Sequence, residues 1–350
     1  MTVASRKKYI SALKAVRGCF DSEETAYSID TLCAVYLISA AEPWLALPGE
    51  PIANHGRGLA ILLQHLLEVE PADEFSKSII QIVSVIVILN SIFAGDYSLE
   101  PWIDKIPSSG TRPSRAAVQD GYDFWTLYHR HLAMLPGIIR DPGRSVDHVE
   151  WFYNMVRIDH HNMKRLGDDI LEQQRAGPAA LQAPQLAQAE TFYEAGLCVL
   201  LWVGLTLNAF LLRKSGGGGG GGDEEEETQQ LLLLEAERHS FCADAIRLSD
   251  RAQGRRPVAA EHLPVCLVAA WLCSDDGQQQ VEIEKRLDDY QRDYGIIGCI
   301  RETTRIHRDE RTGRVRKLPR FPCGLLQERI QAEAGTSALD RYCAEYCCIL

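Results

Sequence analysis

The sequence predicts an all-α protein: a multi-helix domain of packed αα-hairpins with one disordered insertion of glycine and acid. Three observations lead there. Apolar residues recur at i, i+3, i+4 and i+7 over most of the chain. The run richest in β-branched residues, 78–93, is long for a strand and suits a helix, and no partner strands are evident near it. The stretch 215–228 differs in kind, because Gly216 to Gly222 are all glycine and lead into Asp223 and then Glu224 to Glu227. Such a tract has high chain entropy and no apolar surface to bury, so it is expected to be a disordered loop between two helices.

Taken in order, residues 1–20 read as an amphipathic helix with Tyr9, Leu13 and Val16 on one face. A polar loop, 21–27, precedes the segment around which the chain is organised. Ser28 is a good N-cap for a helix carrying Leu32, Val35, Tyr36 and Ser39 on one stripe. Cys33, Leu37 and Ala40 form a second apolar stripe, so burial on two sides is expected. Pro43 should stop this helix, and Pro51 can open the next, in which Leu59, Leu62, Leu63 and Leu66 repeat at helical spacing. A turn at 71–73 leads to the core helix 78–93, and 95–113 is a loop rich in Pro, Gly and Ser. Residues 119–135 are expected to be helical with Phe124, Leu127, Tyr128, His131 and Leu135 as their stripe. Further helices are expected at 146–174 and 186–212, and beyond the glycines at 229–248, 263–272 and 281–294. A basic loop, 301–320, and a short helix, 325–334, complete the pattern. The chain thus divides into an N-terminal part of one helical domain (1–214), the loop (215–228), the C-terminal part of the same domain (229–334) and a tail (335–350).

A chain of 350 residues with 46% hydrophobic residues can bury a large core, so disorder is not the default. The 37 basic and 48 acidic residues leave a net charge of −11, which argues against non-specific binding to nucleic acid by the chain as a whole. Eleven cysteines is an odd number without framework spacing, and most sit inside apolar helical patterns. They read as reduced thiols of the cytosol or nucleus. Met1 to Lys8 is basic, but no apolar segment follows it as in a signal peptide.

The paired helices over 28–67 resemble the start of the regulatory region of fungal zinc-cluster (Zn₂Cys₆) transcription factors. Thr31, Leu32 and Ala34 match a Thr-Leu-x-Ala core, and Glu42 falls where that family has an acidic residue. His55 and Gly58 match its His-x-x-Gly helix start, followed by the Leu62-Leu63 pair. Ile52 stands where the family often carries Trp. A second match lies around Cys242 to Ile246 and Arg256-Pro257, followed by the apolar helix 263–272 and, loosely, Arg286-x-Asp288. The resemblance spans roughly residues 9–330 and rests on the order and spacing of apolar motifs. It implies a regulatory domain that acts in the nucleus, with the cytoplasm also open, through the transcription machinery or a small effector. A homodimer is compatible with it.

The family's DNA-reading head needs six cysteines in two C-x₂-C-x₆-C-like halves sharing two zinc ions, and no C-x₂-C occurs in this sequence. Direct DNA binding by this chain is therefore not expected, and neither is a cofactor. His129, His131 and Asp159-His160-His161 could supply metal ligands, but helix neighbours one or two apart point to different faces, so satisfied or exposed histidines weigh more. Neither Gly-x-Ser-x-Gly nor a Cys–His signature is present, and Asp168-Asp169 and Asp288-Asp289 read as solvated faces. The basic run 311–320 fits an import signal or a solvated loop equally well. The uncharged stretch 195–212 reaches the lower limit of a membrane span, but a core helix is favoured and a membrane partner is not expected. The final Cys347-Cys348-Ile349-Leu350 fits a prenylation box without a polybasic segment before it. The alternative reading is a helical small-ligand-binding protein or enzyme with its site in a core pocket, or a membrane-associated protein, and no catalytic or metal-binding residue is assigned. Leu32, Tyr36, Glu42, His55, Gly58, Leu62 and Leu63 are expected to shape the domain as scaffold, with Gly58 allowing close helix approach.

Overall fold

The computed structural model describes residues 3–45, 55–68, 73–93, 99–106, 124, 126–140, 146–176, 183–215, 224–256 and 262–294. Among these the fold is all-α, with no strand. The basic run 311–320, the helix expected at 325–334, the C-terminal cysteines and Gly216–Gly222 lie outside the described residues. The chain forms two compact units. One is drawn from Met1–Thr111 and His129–Gly137, the other from Arg112–Tyr128 and Ile138–Pro319. The division does not fall at the glycine run: the helices on either side of it belong to one unit.

In the first unit, α1 (Val3–Cys19), the short α2 (Glu23–Ala26), α3 (Ile29–Leu45), α4 (Gly56–Leu66) and α5 (Glu74–Phe93) precede the single turns α6 (Glu100–Ile103) and α7 (His129–Leu132). Ser28 caps α3, its Oγ accepting the Thr31 N–H at 3.1 Å. The core is made by Leu32, Leu59, Leu63, Ile80, Val83, Val87 and Ile88, all essentially inaccessible. α5 is the helix expected from 78–93, begun one turn earlier by Asp73, whose carboxylate accepts the Ser76 N–H at 2.9 Å and its hydroxyl at 2.6 Å.

Several expectations are corrected here. α3 continues two residues past Pro43, because a proline forfeits only its own N–H and crowds the preceding turn, which a last turn tolerates. Leu37 is 59% exposed, so α3 is buried on one side and not two. α4 opens at Gly56 and not at Pro51. The helix expected over 119–135 is broken: Thr126 to Tyr128 form a turn, and among the described residues of this stretch only those of α7 and α8 (Leu135–Arg140) are helical. The turn is pinned by the buried Asp159 carboxylate, which accepts the Thr126 N–H at 2.6 Å and also its hydroxyl, a tertiary bond that overrides local periodicity.

The second unit is built around α10 (Ala183–Ser215), which packs against α9 (Val146–Ala176), α11 (Glu224–Ala252) and α12 (Leu263–Cys273), while α13 (Gly277–Tyr294) covers α12. The uncharged half of α10 explains its position: Leu200, Leu201, Trp202, Val203, Leu205 and Leu207 are all buried, as the centre of a helical unit requires. By length and composition both α5 and α10 could cross a membrane, but the apolar stretch of α10 is 67% buried against protein. Glu224 to Thr228, expected to be loop, are the first residues of α11, where acidic side chains are favoured by the helix dipole. Across α10 and α11, Asn208 donates to the Leu234 carbonyl at 2.8 Å and to the Tyr153 hydroxyl at 2.8 Å, and that hydroxyl donates to Glu237. At Gly167 of α9 an added Cβ would lie 2.5 Å from the ring of Tyr193 on α10.

Candidate functional site: an apolar groove and a buried carboxylate cluster

Of the residues singled out around α3 and α4, His55, Gly58 and Leu62 line one open groove of about 1010 Å³ in the first unit. Its floor is Val35 and Ile38 of α3, one wall is the N-cap His55 with Gly58, Ile61 and Leu62 of α4, and the other wall is Ile10 and Leu13 of α1 with Phe20 just past its end. Leu62 and Leu32 are buried as expected, and Leu63 lies behind the groove in the core. Tyr36 is half-buried. The side chain of Glu42 lies outside the described residues. His55 stands at the N-cap of α4. Its carbonyl accepts the Leu59 N–H at 2.9 Å, and its ring makes no cap bond. Gly58 corrects the sequence reading, since it is exposed and a Cβ there would meet nothing within 4 Å. It leaves a gap in the groove wall and does not bring two helices together.

A second candidate gathers around Asp244, the centre of the Cys242–Ile246 motif. Its carboxylate meets His160 Nε2 at 2.9 Å and Lys164 Nζ at 3.3 Å through Oδ2, and Arg247 through Oδ1. The His160 ring stands edge-on to Phe241, with centroids 4.7 Å apart. Above it opens a shallow cleft of about 570 Å³ that also includes Arg157, His161, Glu237 and Ser240. Burial pushes the Asp244 carboxyl up. The His160 bond and the flanking Arg247 and Lys164 more than offset this and hold it down at about 2. With both oxygens engaged, the Asp244 carboxylate ties α11 to His160 and Lys164 of α9. Ser240 shares the cleft with His160.

The other residues raised from sequence also find structural partners. His129 Nε2 lies 3.2 Å from the Gln81 carbonyl, and His161 is exposed. Arg256 pairs with Asp293 at 2.7 Å and Asp289 at 3.3 Å and stacks 4.8 Å over Tyr290, so the Arg-Pro motif ties the end of α11 to α13. Arg286 grips Asp250 through two bonds, at 2.9 and 2.8 Å. Asp289 is thus an ion-pair partner and not merely a solvated face. Among the described residues no group of three or more His, Cys, Asp or Glu side chains is placed to hold a metal ion. The thiols of Cys198 and Cys242 donate to the carbonyls of His262 and Ala270, and burial pushes Cys242 well up, away from nucleophilic thiolate.

Sequence reading missed the buried charges of α10. Glu194 is 2% exposed and pairs with Arg255 and Arg251, and Glu190 lies 3.2 Å from Arg255. The available signal was one acid just ahead of a long uncharged run. No family model, no curated protein and no solved structure matches the chain.

Proposed function

We propose that this chain is a non-enzymatic regulatory domain of transcription that works through protein contact, as its resemblance to the regulatory regions of fungal zinc-cluster factors implies, with the nucleus as its place of action. The observation that supports this best is that His55, Gly58 and Leu62, chosen for that resemblance, line one open groove along one face of α4. A groove with an apolar floor and a rim that carries Lys14, Arg17, Asp21 and Glu23 suits an amphipathic helix of a partner. The net charge of −11 and the lack of any C-x₂-C pair support a domain that does not itself read DNA.

The test is a tethered reporter. The whole chain is fused to an unrelated DNA-binding module, and expression is measured from that module's operator. Expression should differ from that with the module alone, and Gly58→Trp, which fills the groove from a position with open space, should abolish the difference while the helical circular dichroism stays unchanged. A fusion indistinguishable from the bare module refutes the proposal.

A further inference from the structure

The groove between α1 and α4 is apolar inside and charged in a fixed order along its edge. On the α1 side Ile10, Leu13 and, just past the helix end, Phe20 meet water at 44%, 38% and 49% exposure. On the α4 side Ile61 is 52% exposed, beside the gap at Gly58. Leaving these side chains solvated forgoes the burial that normally holds amphipathic helices in place. A body that touches both walls and the floor of Val35 and Ile38 must enter the groove, which suits a helix and not a flat surface.

Charge decides which kind of helix fits. The charged residues of α1 are Arg6, Lys7, Lys8, Lys14 and Arg17, and that of α4 is Arg57. Both walls are therefore basic, in a chain whose net charge is −11. Lys7, Lys14 and Arg17 follow at i, i+7 and i+10 on one face of α1, and Lys14 and Arg17 line the groove itself. All three are exposed, and none has an ion-pair partner among the described residues. Among the described lining residues, acid enters only at one end, at Asp21 and Glu23, where the chain passes from α1 into α2.

We infer that the groove takes an acidic amphipathic helix of another protein, lying antiparallel to α1. The apolar stripe of that helix fills the channel between Leu13 and Ile61. Carboxylates on its flank meet Lys7, Lys14 and Arg17. Lys7 and Lys14 stand two turns apart, about 10 Å along the axis, so acids at heptad spacing reach both. Asp21 and Glu23 receive the N-terminus of the bound helix, which is the positive end of its dipole and leaves backbone N–H groups unpaired. Laid the other way, the helix would set its negative end against those two carboxylates. A second copy of α1 would bring basic residues to basic residues. An anionic bilayer is too flat to reach the floor and is repelled at Asp21 and Glu23. The inference rests on the reading of the groove as a partner site and is independent of what the contact regulates.

The probe is a labelled peptide of about 18 residues with Leu and Phe at heptad a and d positions and Glu at e and g, titrated into the full chain by fluorescence anisotropy. Binding is expected in the micromolar range, as for a small interface. It should weaken about tenfold as salt rises from about 0.05 to 0.5 M. Lys14→Glu together with Arg17→Glu, both at exposed positions, should weaken it about tenfold with unchanged circular dichroism. The same peptide with Lys for Glu should bind that variant better than it binds the wild type. Gly58→Trp should block both. A benzophenone at the peptide's N-terminus should cross-link near Glu23, and one at its C-terminus near Lys7. No binding at about 200 μM overturns the inference. So does equal binding of the Lys peptide or of a scrambled acidic peptide by the wild type, a charge-reversed variant that binds as the wild type does, or cross-links in the reverse order. Phosphatidylserine vesicles that displace the peptide overturn it too. A bound peptide with a silent tethered reporter would sink only the regulatory reading, whereas a responsive reporter without peptide binding would sink the acidic helix alone.

Discussion

Replacing Asp244 by asparagine keeps the shape of the side chain and removes its charge, which tests whether the clasp between α9 and α11 is structural. In the folded protein the carboxyl is held at about 2, against about 3.9 in an unfolded chain. Asp244 is 4% exposed, so solvent screens the interaction little. The difference corresponds to about 2–3 kcal/mol of folding free energy at pH 7. The native carboxyl binds its proton less readily than the unfolded one. This stability is therefore fully present above about pH 4 and is lost as the pH falls through about 2. Asp244→Asn should weaken the second unit at pH 7 by about that amount and remove its share of the acid slope between about pH 4 and 2. Urea unfolding at several pH values supplies the free energies. Hydrogen exchange of α9 and α11 peptides assigns them to the right unit, because two units need not unfold together. A loss below about 0.5 kcal/mol at pH 7, the size of an ordinary surface substitution, would refute the reasoning. An acid slope unchanged from wild type would do the same.

Two glycines should respond in opposite directions. Gly58→Ala, facing open space, should stabilise the first unit by about 0.5–1 kcal/mol through helix propensity. Gly167→Ala should cost the second unit about 1–3 kcal/mol, because the Tyr193 ring it would strike is held under Arg251 at 4.6 Å. Thermal unfolding of the two variants decides the matter, and the reverse order would mean the helix contacts are misjudged. Leu62→Ala, at 4% exposure, should cost about 2–5 kcal/mol in urea unfolding. A cost below about 1 kcal/mol would place Leu62 at the surface and not in the core.

The long helices were legible in the sequence because their apolar periodicity persists over many turns, and α9, α10, α12 and α13 begin and end within a few residues of where it puts them. The burial of Leu32, Leu62 and Leu63 was legible for the same reason. What failed was decided by contacts distant in sequence. The stripe from Phe124 to Leu135 has helical spacing, yet Asp159, 33 residues away, captures Thr126 and breaks it. Gly58 and Gly167 look alike in a helical pattern, and only the neighbour across the gap distinguishes an empty wall from a crossing point. The Asp244 cluster joins residues about 80 apart, a separation no local motif reports. The exposed stripe of α1 has the same periodicity as a buried one, so patterning found the helix but not whether its face is covered.

The joint between α10 and α11 has a consequence for how this chain can vary. The two helices are held by their own side chains, through Asn208, Tyr153 and Glu237, and do not depend on the Gly216–Gly222 connection for their alignment. Lengthening a connection adds closure entropy only logarithmically, about 0.6 kcal/mol for each doubling. A run of one repeated residue at such a joint can gain or lose members over generations with almost no effect on folding, whereas the same insertion inside α9 would rotate every residue after it out of register. A change in the length of this glycine repeat thus leaves the alignment of α10 and α11 almost untouched.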